Sequence, residues 1–194
     1  MNFSLKNISG VAITITLLVL FSFPLFSQSR SKISDRKIKS IFTSTFDVRK
    51  GDTTLKKNLS KYDDRGNVIE SIDYDVQGNI KDHEQFRYNY HGDEVMYIQL
   101  SSNQKVIKKI ETFYNKWHNL LQKVTYDATG IISETMEVTY NASNDPVAEI
   151  TRNGNGRIIR HTIYTYDNKS MLISKKIYRE NNILIYSKDY SIEY

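Results

Sequence analysis

Polar turns and apolar strand residues alternate along this chain with a fixed period. Ten segments begin with a start residue, aromatic in eight of them, followed by a short polar stretch and then a strand. The start residues are Tyr62, Tyr74, Tyr88, Leu100, Tyr114, Tyr126, Tyr140, Arg152, Tyr166 and Tyr178, and their spacing alternates between 12 and 14 residues. A period of 26 residues predicts stacked supersecondary units, and it indicates the architecture before any single residue does.

Each unit predicts a tight turn that leads into a strand. In the unit at 62–68 (YDDRGNV), Asp63 can accept backbone N–H bonds, and Gly66 three residues later tolerates a positive φ. This order predicts a type I turn closed by a G1 bulge. The fifth position of the unit is Gly or Asn in seven of the ten units, so turn chemistry accounts for it without a ligand.

The strand residues predict an all-β fold with one buried face. Two positions after the fifth, the chain is apolar in eight of ten units. Because both spacings are even and strand side chains alternate, we expect these apolar residues and the start residues to share one face. The alternation of the two spacings shifts equivalent residues along the strands from one strand to the next. Such a stagger is typical of a strongly coiled sheet, either an open spiral or barrel-like, and the coiling would bury the shared face.

The predicted sheet is an antiparallel meander of about twelve strands. Ten strands follow the ten turns, and two earlier strands are expected around 41–48 and 54–61. We expect residues 41–194 to form a single β-repeat domain, which is an ordinary size for one domain.

The N-terminus predicts secretion. Residues 1–27 resemble a signal peptide, because the apolar run 11–23 is shorter than the roughly 20 residues of a membrane span and small Ser27 suits the cleavage position. Retention of this segment as an anchor is the alternative. The chain has no cysteine, so we expect neither disulfides nor a lipid anchor, no membrane span after signal removal, and a secreted or periplasmic location.

The formal charge of +5 changes this picture little. Much of it lies in residues 28–40, a polar and basic segment that is expected to be a flexible leader, and in the lysines of the first strands. An acidic polysaccharide, nucleic acid or anionic surface would suit such a charge, but solvated lysines on exposed strands account for it as well. Nucleic acid is not expected as a partner.

Two units resemble a known repeat. The sequences YDxxGNV at 62–68 and YDxxGNI at 74–80 are similar to the YD repeat of RHS-type proteins, and the match is partial at 126–131 and 166–167. The resemblance implies secretion, a coiled β-sheet, and a role in binding, display or the enclosing of cargo. Large members form a shell around a C-terminal toxin, which an Asp-Pro-containing motif processes. Here the sequence NDP at 144–146 is a lone match in a turn, so we expect neither a shell nor a protease function. Short secreted bacterial proteins with the same alternation of a shorter and a longer unit resemble this chain more closely, and they imply no specific activity.

Candidate catalytic or metal-binding groups are weakly specified. The four histidines, His83, His91, His118 and His161, fall in different units without metal-ligand spacing. Asp at the second position of a unit suits calcium, but it equally suits the turn, and Asn or Ser fills the same position elsewhere; these residues are Asp63, Asp75, Asp127 and Asp167. We therefore expect no catalytic residues, metal or cofactor, and predict that the protein is not an enzyme.

The turn at 114–119 is the best candidate for ligand contact. It holds the only tryptophan, Trp117, beside His118 at a polar tip, and Tyr90, His91 and Tyr97 lie in the equivalent hairpin one period earlier. Stacking on a sugar ring or a partner protein is one explanation of such an exposed indole, and packing over a neighbouring hairpin is the other.

Three classes of function remain open from the sequence. The first is a non-enzymatic binding module for a glycan or an envelope protein. The second is a structural protein that forms homo-oligomers through its sheet edges. The third, a small hydrolase, has no residues that nominate an active site.

Overall fold

A computed structural model describes residues 29–49 and 52–194. A short helix, α1 (Arg30–Asp35), precedes the strands, and a 3-10 helix (Glu180–Asn182) lies between the last two. The strands are β1 (Ser40–Arg49), β2 (Asp52–Tyr62), β3 (Val68–Tyr74), β4 (Ile80–Tyr88), β5 (Glu94–Leu100), β6 (Val106–Tyr114), β7 (Leu120–Tyr126), β8 (Ile132–Tyr140), β9 (Pro146–Asn153), β10 (Ile158–Tyr166), β11 (Leu172–Arg179) and β12 (Ile183–Asp189). The predicted signal peptide, residues 1–27 with Ser27, lies outside the described residues.

All twelve strands form one antiparallel sheet in which neighbours in sequence are neighbours in space. The predicted all-β meander, its strand number and its two early strands are therefore confirmed. The sheet does not close, because within the described ranges β1 pairs only with β2, and β12 only with β11. Of the two predicted shapes, the open one is observed.

The ladder shifts by one residue beside the start residue of every hairpin from β2–β3 to β11–β12. Lys61 pairs with Glu70, whereas Tyr62 pairs with Val68, so Ile69 is left over; the same shift recurs in the other nine hairpins. Because each hairpin has this one extra residue, even-numbered residues that lie on one face of the sheet in one strand lie on the other face in the next strand.

This reversal corrects the expectation that all start residues share a face. Because cross-strand partners lie on the same face, the register places Tyr74 and Tyr126 on one face and Tyr88 and Tyr114 on the other. The even spacing in the sequence did not count the residue that each bulge leaves unpaired. Start residues therefore alternate between the two faces, one hairpin after another.

Burial is shallow on both faces of the sheet. Within the described part of the chain, the apolar side chains that are buried are Ile33, Ile72 and Val124. All start residues are half-buried. The expected burial of one continuous face is therefore wrong, because a single open layer has no second layer to cover it. Backbone pairing and cross-strand side-chain contacts hold the strands together instead.

The hairpin tips form two rims. We call the tips at 62–68, 88–94, 114–120, 140–146 and 166–172 the tyrosine rim, because each begins with Tyr, and those at 74–80, 100–106, 126–132, 152–158 and 178–184 the opposite rim.

A ladder of hydroxyl bonds runs along the tyrosine rim. After the first tip, the start tyrosine of each tip donates its hydroxyl to the carbonyl that lies 20 residues earlier, at the end of the preceding tip of that rim, at 2.8–3.0 Å. The pairs are Tyr88–Val68, Tyr114–Glu94, Tyr140–Leu120 and Tyr166–Pro146. Each tip of this rim is thus tied to the tip before it.

Residues 30–35 of the predicted flexible leader are ordered as α1. Ser29 caps the helix by accepting the N–H of Lys32, and Ile33 is only 2% exposed. Ser34 Oγ donates to the carbonyl of Asp64 at 2.8 Å, which anchors α1 on the first tip of the tyrosine rim. The sequence did not predict this helix, which one apolar side chain and a helix cap suffice to dock. Neither helix of the described residues is long and apolar enough to cross a membrane.

Candidate functional site

Every tip on both rims has a positive φ at its fifth position. The angles lie between 57° and 91°, at Gly66, Gly78, Gly92, Gln104, His118, Gly130, Asn144, Gly156, Ser170 and Asn182. In nine tips the second residue donates its N–H to the carbonyl of the sixth, as Asn89 does to Asp93 at 2.9 Å. The predicted turn is confirmed, and its geometry persists even at His118, where the left-handed backbone is less favourable than at glycine.

In many of these tips the second residue also fixes the turn through its side chain. Asn115 Oδ1 accepts the N–H groups of Trp117 at 2.9 Å and of Asn119 at 3.0 Å. Asn89 Oδ1 does the same for His91 and Asp93. The side-chain oxygen is thus used within the turn, while the third and fourth residues project from the rim.

The same arrangement engages the aspartates considered for calcium. Asp63 Oδ1 accepts the N–H groups of Arg65 and Asn67 at 2.9 and 2.8 Å, and Asp127 and Asp167 accept equivalent N–H groups. Hydrogen bonds from Asn79 lower the pKa of the Asp75 carboxyl. Within the described ranges, no three histidine, aspartate or glutamate side chains cluster so as to hold a metal ion.

Histidine contacts join the tips at 88–94 and 114–120. His118 Nδ1 lies 2.8 Å from Asp93 Oδ2, and the rings of His91 and His118 meet edge to face with their centres 4.4 Å apart. The hydrogen bond with His118 is the main reason that the pKa of Asp93 is lowered. Tyr114, through its hydroxyl bond to the Glu94 carbonyl at 3.0 Å, ties the two tips together from below.

Two aromatic rings project from this pair of tips. Trp117 is 60% exposed and Tyr90 is 79% exposed. A cation lies against each ring: Lys116 Nζ is 4.4 Å from the ring centre of Trp117, and the Arg65 guanidinium is 4.9 Å from that of Tyr90. Of the two explanations for the exposed indole, packing over a neighbouring hairpin is thus at most partial.

A surface cleft of about 370 Å³ lies between the two tips. Its lining combines the apolar side chains of Val95 and Phe113 with polar residues, which include Asn89, His91, Asp93, Asn115, Lys116 and His118. Residues from α1 and the first tip extend the site on the side of Tyr90. Arg65 donates to the Tyr90 carbonyl, and Arg30 Nε donates to the Arg65 carbonyl at 3.2 Å. The side chain of Arg30 also reaches Gly92, where a Cβ would lie 2.8 Å from its Nη2.

Tyr97 lies apart from the other four predicted contacts. It is a half-buried residue of β5, its ring packs against Phe86 with centres 5.6 Å apart, and its hydroxyl donates to Glu84 Oε1 at 2.8 Å. Burial raises the pKa of this hydroxyl. The structure thus brings Trp117, His118, Tyr90 and His91 together at the rim and places Tyr97 within the sheet.

The other two histidines lie on the sheet, away from the tips. His83 is buried, with Nε2 2.8 Å from Glu70 Oε1, and His161 lies against Tyr178 with ring centres 6.3 Å apart. Sequence analysis did not nominate Arg65, Asp93 and Lys116 for the site. The interval between His91 and His118, which is close to one full repeat, was the signal that these tips would meet.

Comparisons with known proteins support the fold alone. No family model matches the sequence, and no curated protein matches it either. The fold is similar to part of a chain in the crystal structure of TcdB2-TccC3-TEV, a toxin-complex chain of the RHS/YD-repeat type, with a TM-score of 0.56 and 15% identity. The match covers 79% of this chain but only 8% of that one. A porin-like protein from Bacteroides uniformis ATCC 8492 is similar at a TM-score of 0.45 and 14% identity, over 77% of this chain and 74% of that one.

Proposed function

We propose that the protein is a non-enzymatic binding module of the cell surface or periplasm that takes a glycan on its tyrosine rim. The site is formed by the tips at 88–94 and 114–120. The observation that carries the proposal is the exposure of Trp117 and Tyr90 on two neighbouring tips, which have a cleft between them. Large apolar rings on an otherwise polar tip gain free energy when a partner covers them.

The chemistry of the cleft suits a sugar. The apolar C–H face of a sugar ring stacks on an aromatic ring, while its hydroxyls exchange hydrogen bonds with amides, carboxylates and imidazoles. Such groups line the cleft, among them Asn89, Asp93 and His118. The hydrogen bonds of the two turns and the Tyr114 hydroxyl hold the tips in place before a ligand arrives, which lowers the entropic cost of binding.

Retention of the purified protein on immobilised acidic and neutral polysaccharides, beside an envelope protein extract, tests the proposal. We expect retention by at least one polysaccharide, and a loss of about ten-fold or more in affinity for Trp117→Ala, as for aromatic anchors elsewhere. Tyr194→Ala is the matched control, because Tyr194 is 72% exposed beside the tip at 166–172, away from the cleft. Retention by proteins alone, with the same dependence on Trp117, would make the partner a protein. Retention that neither Trp117 nor Tyr90 influences would disprove the site.

Exposed sheet edges favour a second candidate function, self-association. All seven residues of β12 are exposed, and Ile183, Leu184, Ile185 and Tyr186 are between 45% and 53% exposed. Phe42 and Phe46 of β1, at the other edge, are 59% and 70% exposed. Long apolar edge strands recruit further strands through their unpaired backbone groups. Light scattering over a range of protein concentrations distinguishes a monomer from an assembly.

A further inference from the structure

The tips of the tyrosine rim form a regular row across the strands. Successive tips of one rim are two strands apart, which corresponds to about 10 Å at the usual strand spacing. Tyr90 and Trp117 project from neighbouring tips of this row, and the contact of His91 with His118 fills the space between them. Two rings of an extended, linear sugar chain are comparable in length with this interval. A chain that crosses these two tips would therefore meet one exposed aromatic ring on each tip.

A positive charge accompanies each ring in the row. Arg65 reaches from the first tip to the ring of Tyr90 on the second, and Lys116 lies against Trp117 on the third. Arg30 of α1 adds a guanidinium beside Gly92. A ligand on either ring would thus meet a cation.

The carboxylates near these cations are engaged elsewhere. Asp63 accepts bonds from its own turn, and the side chain of Asn67 donates to its Oδ2 at 2.7 Å. Asp64 pairs with Lys39. Asp93 accepts from Asn89 Nδ2 at 2.9 Å and pairs with His118. These carboxylates keep their negative charge, but Lys39 offsets Asp64. Arg30, Arg65 and Lys116 outnumber Asp63 and Asp93, so a small positive excess beside the two rings attracts an anionic ligand.

We propose, on the basis of the function proposed above, that the ligand is a linear acidic polysaccharide that crosses the tips perpendicular to the strands. Alternate sugar rings stack at Tyr90 and Trp117, and its carboxylate or sulfate groups lie beside Arg65 and Lys116. A neutral chain would offer neither cation an anionic partner, and a polyanion without sugar rings would leave both aromatic rings uncovered. The two rings, each with its own cation, suit a polymer that carries both sugar rings and negative charges along its length.

Calorimetric titration with oligosaccharides of increasing length tests this assignment. The acidic ligands are hyaluronan fragments of two, four and six rings, which carry a carboxylate on alternate rings, and chondroitin sulfate fragments, which add a sulfate. Cello-oligosaccharides of the same lengths are the neutral control, and inorganic polyphosphate is the polyanion without sugars. We expect the affinity for an acidic series to rise about ten-fold or more between two and six rings, as the second aromatic ring becomes engaged. Added salt lowers this affinity because the ion pairs are exposed.

Variants of the cations complete the test. Arg65→Gln and Lys116→Gln should each weaken binding of the six-ring acidic fragment by about two- to five-fold, as expected for exposed ion pairs. Lys169→Gln is the matched control, since Lys169 lies 3.2 Å from the ring centre of Tyr194 at the tip 166–172, away from the two rings of the site. Lys116 makes its contact from an exposed tip position, so its variant keeps the test valid even if Arg65→Gln disturbs the docking of α1.

Each alternative outcome has a distinct meaning. Equal binding of neutral and acidic fragments, both dependent on Trp117, would overturn the acidic assignment and leave the glycan module standing. Polyphosphate that binds as tightly as the acidic fragments would overturn the role of the sugar rings. An affinity that does not change with length would overturn the crossing of two tips. Failure of every saccharide to bind would overturn the proposed function together with this inference.

Discussion

Replacing the tyrosines of the rim ladder by phenylalanine isolates the contribution of four equivalent hydrogen bonds. Tyr→Phe at positions 88, 114, 140 and 166 removes the hydroxyl but keeps the ring. Each hydroxyl donates to a backbone carbonyl at 2.8–3.0 Å from a half-buried side chain. A hydrogen bond of this kind contributes about 1 kcal/mol to the free energy of unfolding. We therefore expect each single variant to lose that amount of stability.

The fourfold variant should lose about 4 kcal/mol, because the four bonds have no donor or acceptor in common and their effects add. Such a loss is a large fraction of the roughly 5–15 kcal/mol that stabilises ordinary domains. For a urea m-value of about 2 kcal/mol/M, each single variant should lower the unfolding midpoint by roughly 0.5 M.

Urea unfolding followed by circular dichroism measures these losses. Tyr178→Phe is the matched control, because Tyr178 begins a unit on the opposite rim and its hydroxyl has no hydrogen-bond partner among the described residues. Amide hydrogen exchange adds a local readout, since in a repeat protein stability is distributed over neighbouring units. Faster exchange should concentrate in the two hairpins that each lost bond had joined.

The reasoning would be refuted if the four rim variants and Tyr178→Phe were destabilised by the same amount. That result would assign the effect to the rings and not to the ladder. A loss below about 0.3 kcal/mol per variant would indicate that water replaces the hydroxyl at the carbonyl without cost.

Three further predictions concern pH, turn geometry and the sheet edge. Burial raises the pKa of Tyr88 to about 12, above its unfolded value of about 10. The stabilising effect of this residue is therefore complete below pH 10 and is lost as the pH rises towards 12. The urea midpoint should fall across that window, and it should fall less steeply in Tyr88→Phe. Gly66→Ala and Gly78→Ala both place a Cβ at positive φ, at a cost of about 1 kcal/mol. Gly66→Ala should cost more stability and also speed amide exchange in α1, because its Cβ would clash with the Arg30 carbonyl oxygen, whereas nothing lies within 4 Å at Gly78. Equal losses of stability in the two variants would contradict the docking of α1. Leu184→Lys should reduce any self-association seen by light scattering without changing the urea midpoint, and unchanged association would exclude the β12 edge.

The sequence predicted the strands well because turn chemistry repeats in it. Positions that require a positive φ, such as Gly66 and Gly92, recur with the unit and mark every hairpin. The faces could not be predicted in the same way. Ile69, left unpaired at a bulge, has the same apolar character as a paired strand residue, so the pattern of apolar residues does not reveal the shift.

The site was predicted in part for a related reason. The repeat brings the tips of one rim together, so Trp117 and Tyr90 could be placed near each other from spacing alone. Tyr97 belongs to the same hairpin as Tyr90 but lies within β5, where its strand position turns the side chain to a face of the sheet. Arg30 could not be predicted as part of the site, because its place depends on how α1 docks on the first tip.

The rim ladder makes one full repeat the smallest change in chain length that preserves the hydroxyl bonds. Each hydroxyl bond joins the end of one strand to the start of the strand before it, as Tyr114 of β6 joins Glu94 of β5. One strand carries the chain from one rim to the other and moves the start residue to the other face. A deletion or duplication of a single unit would place the following tyrosines on the wrong rim. Loss or gain of one full repeat, a shorter unit together with a longer one, would instead leave every later hydroxyl opposite a carbonyl. Lineages of such proteins should therefore differ in length by whole repeats, and a shortened variant should be built by removing one full repeat at a time.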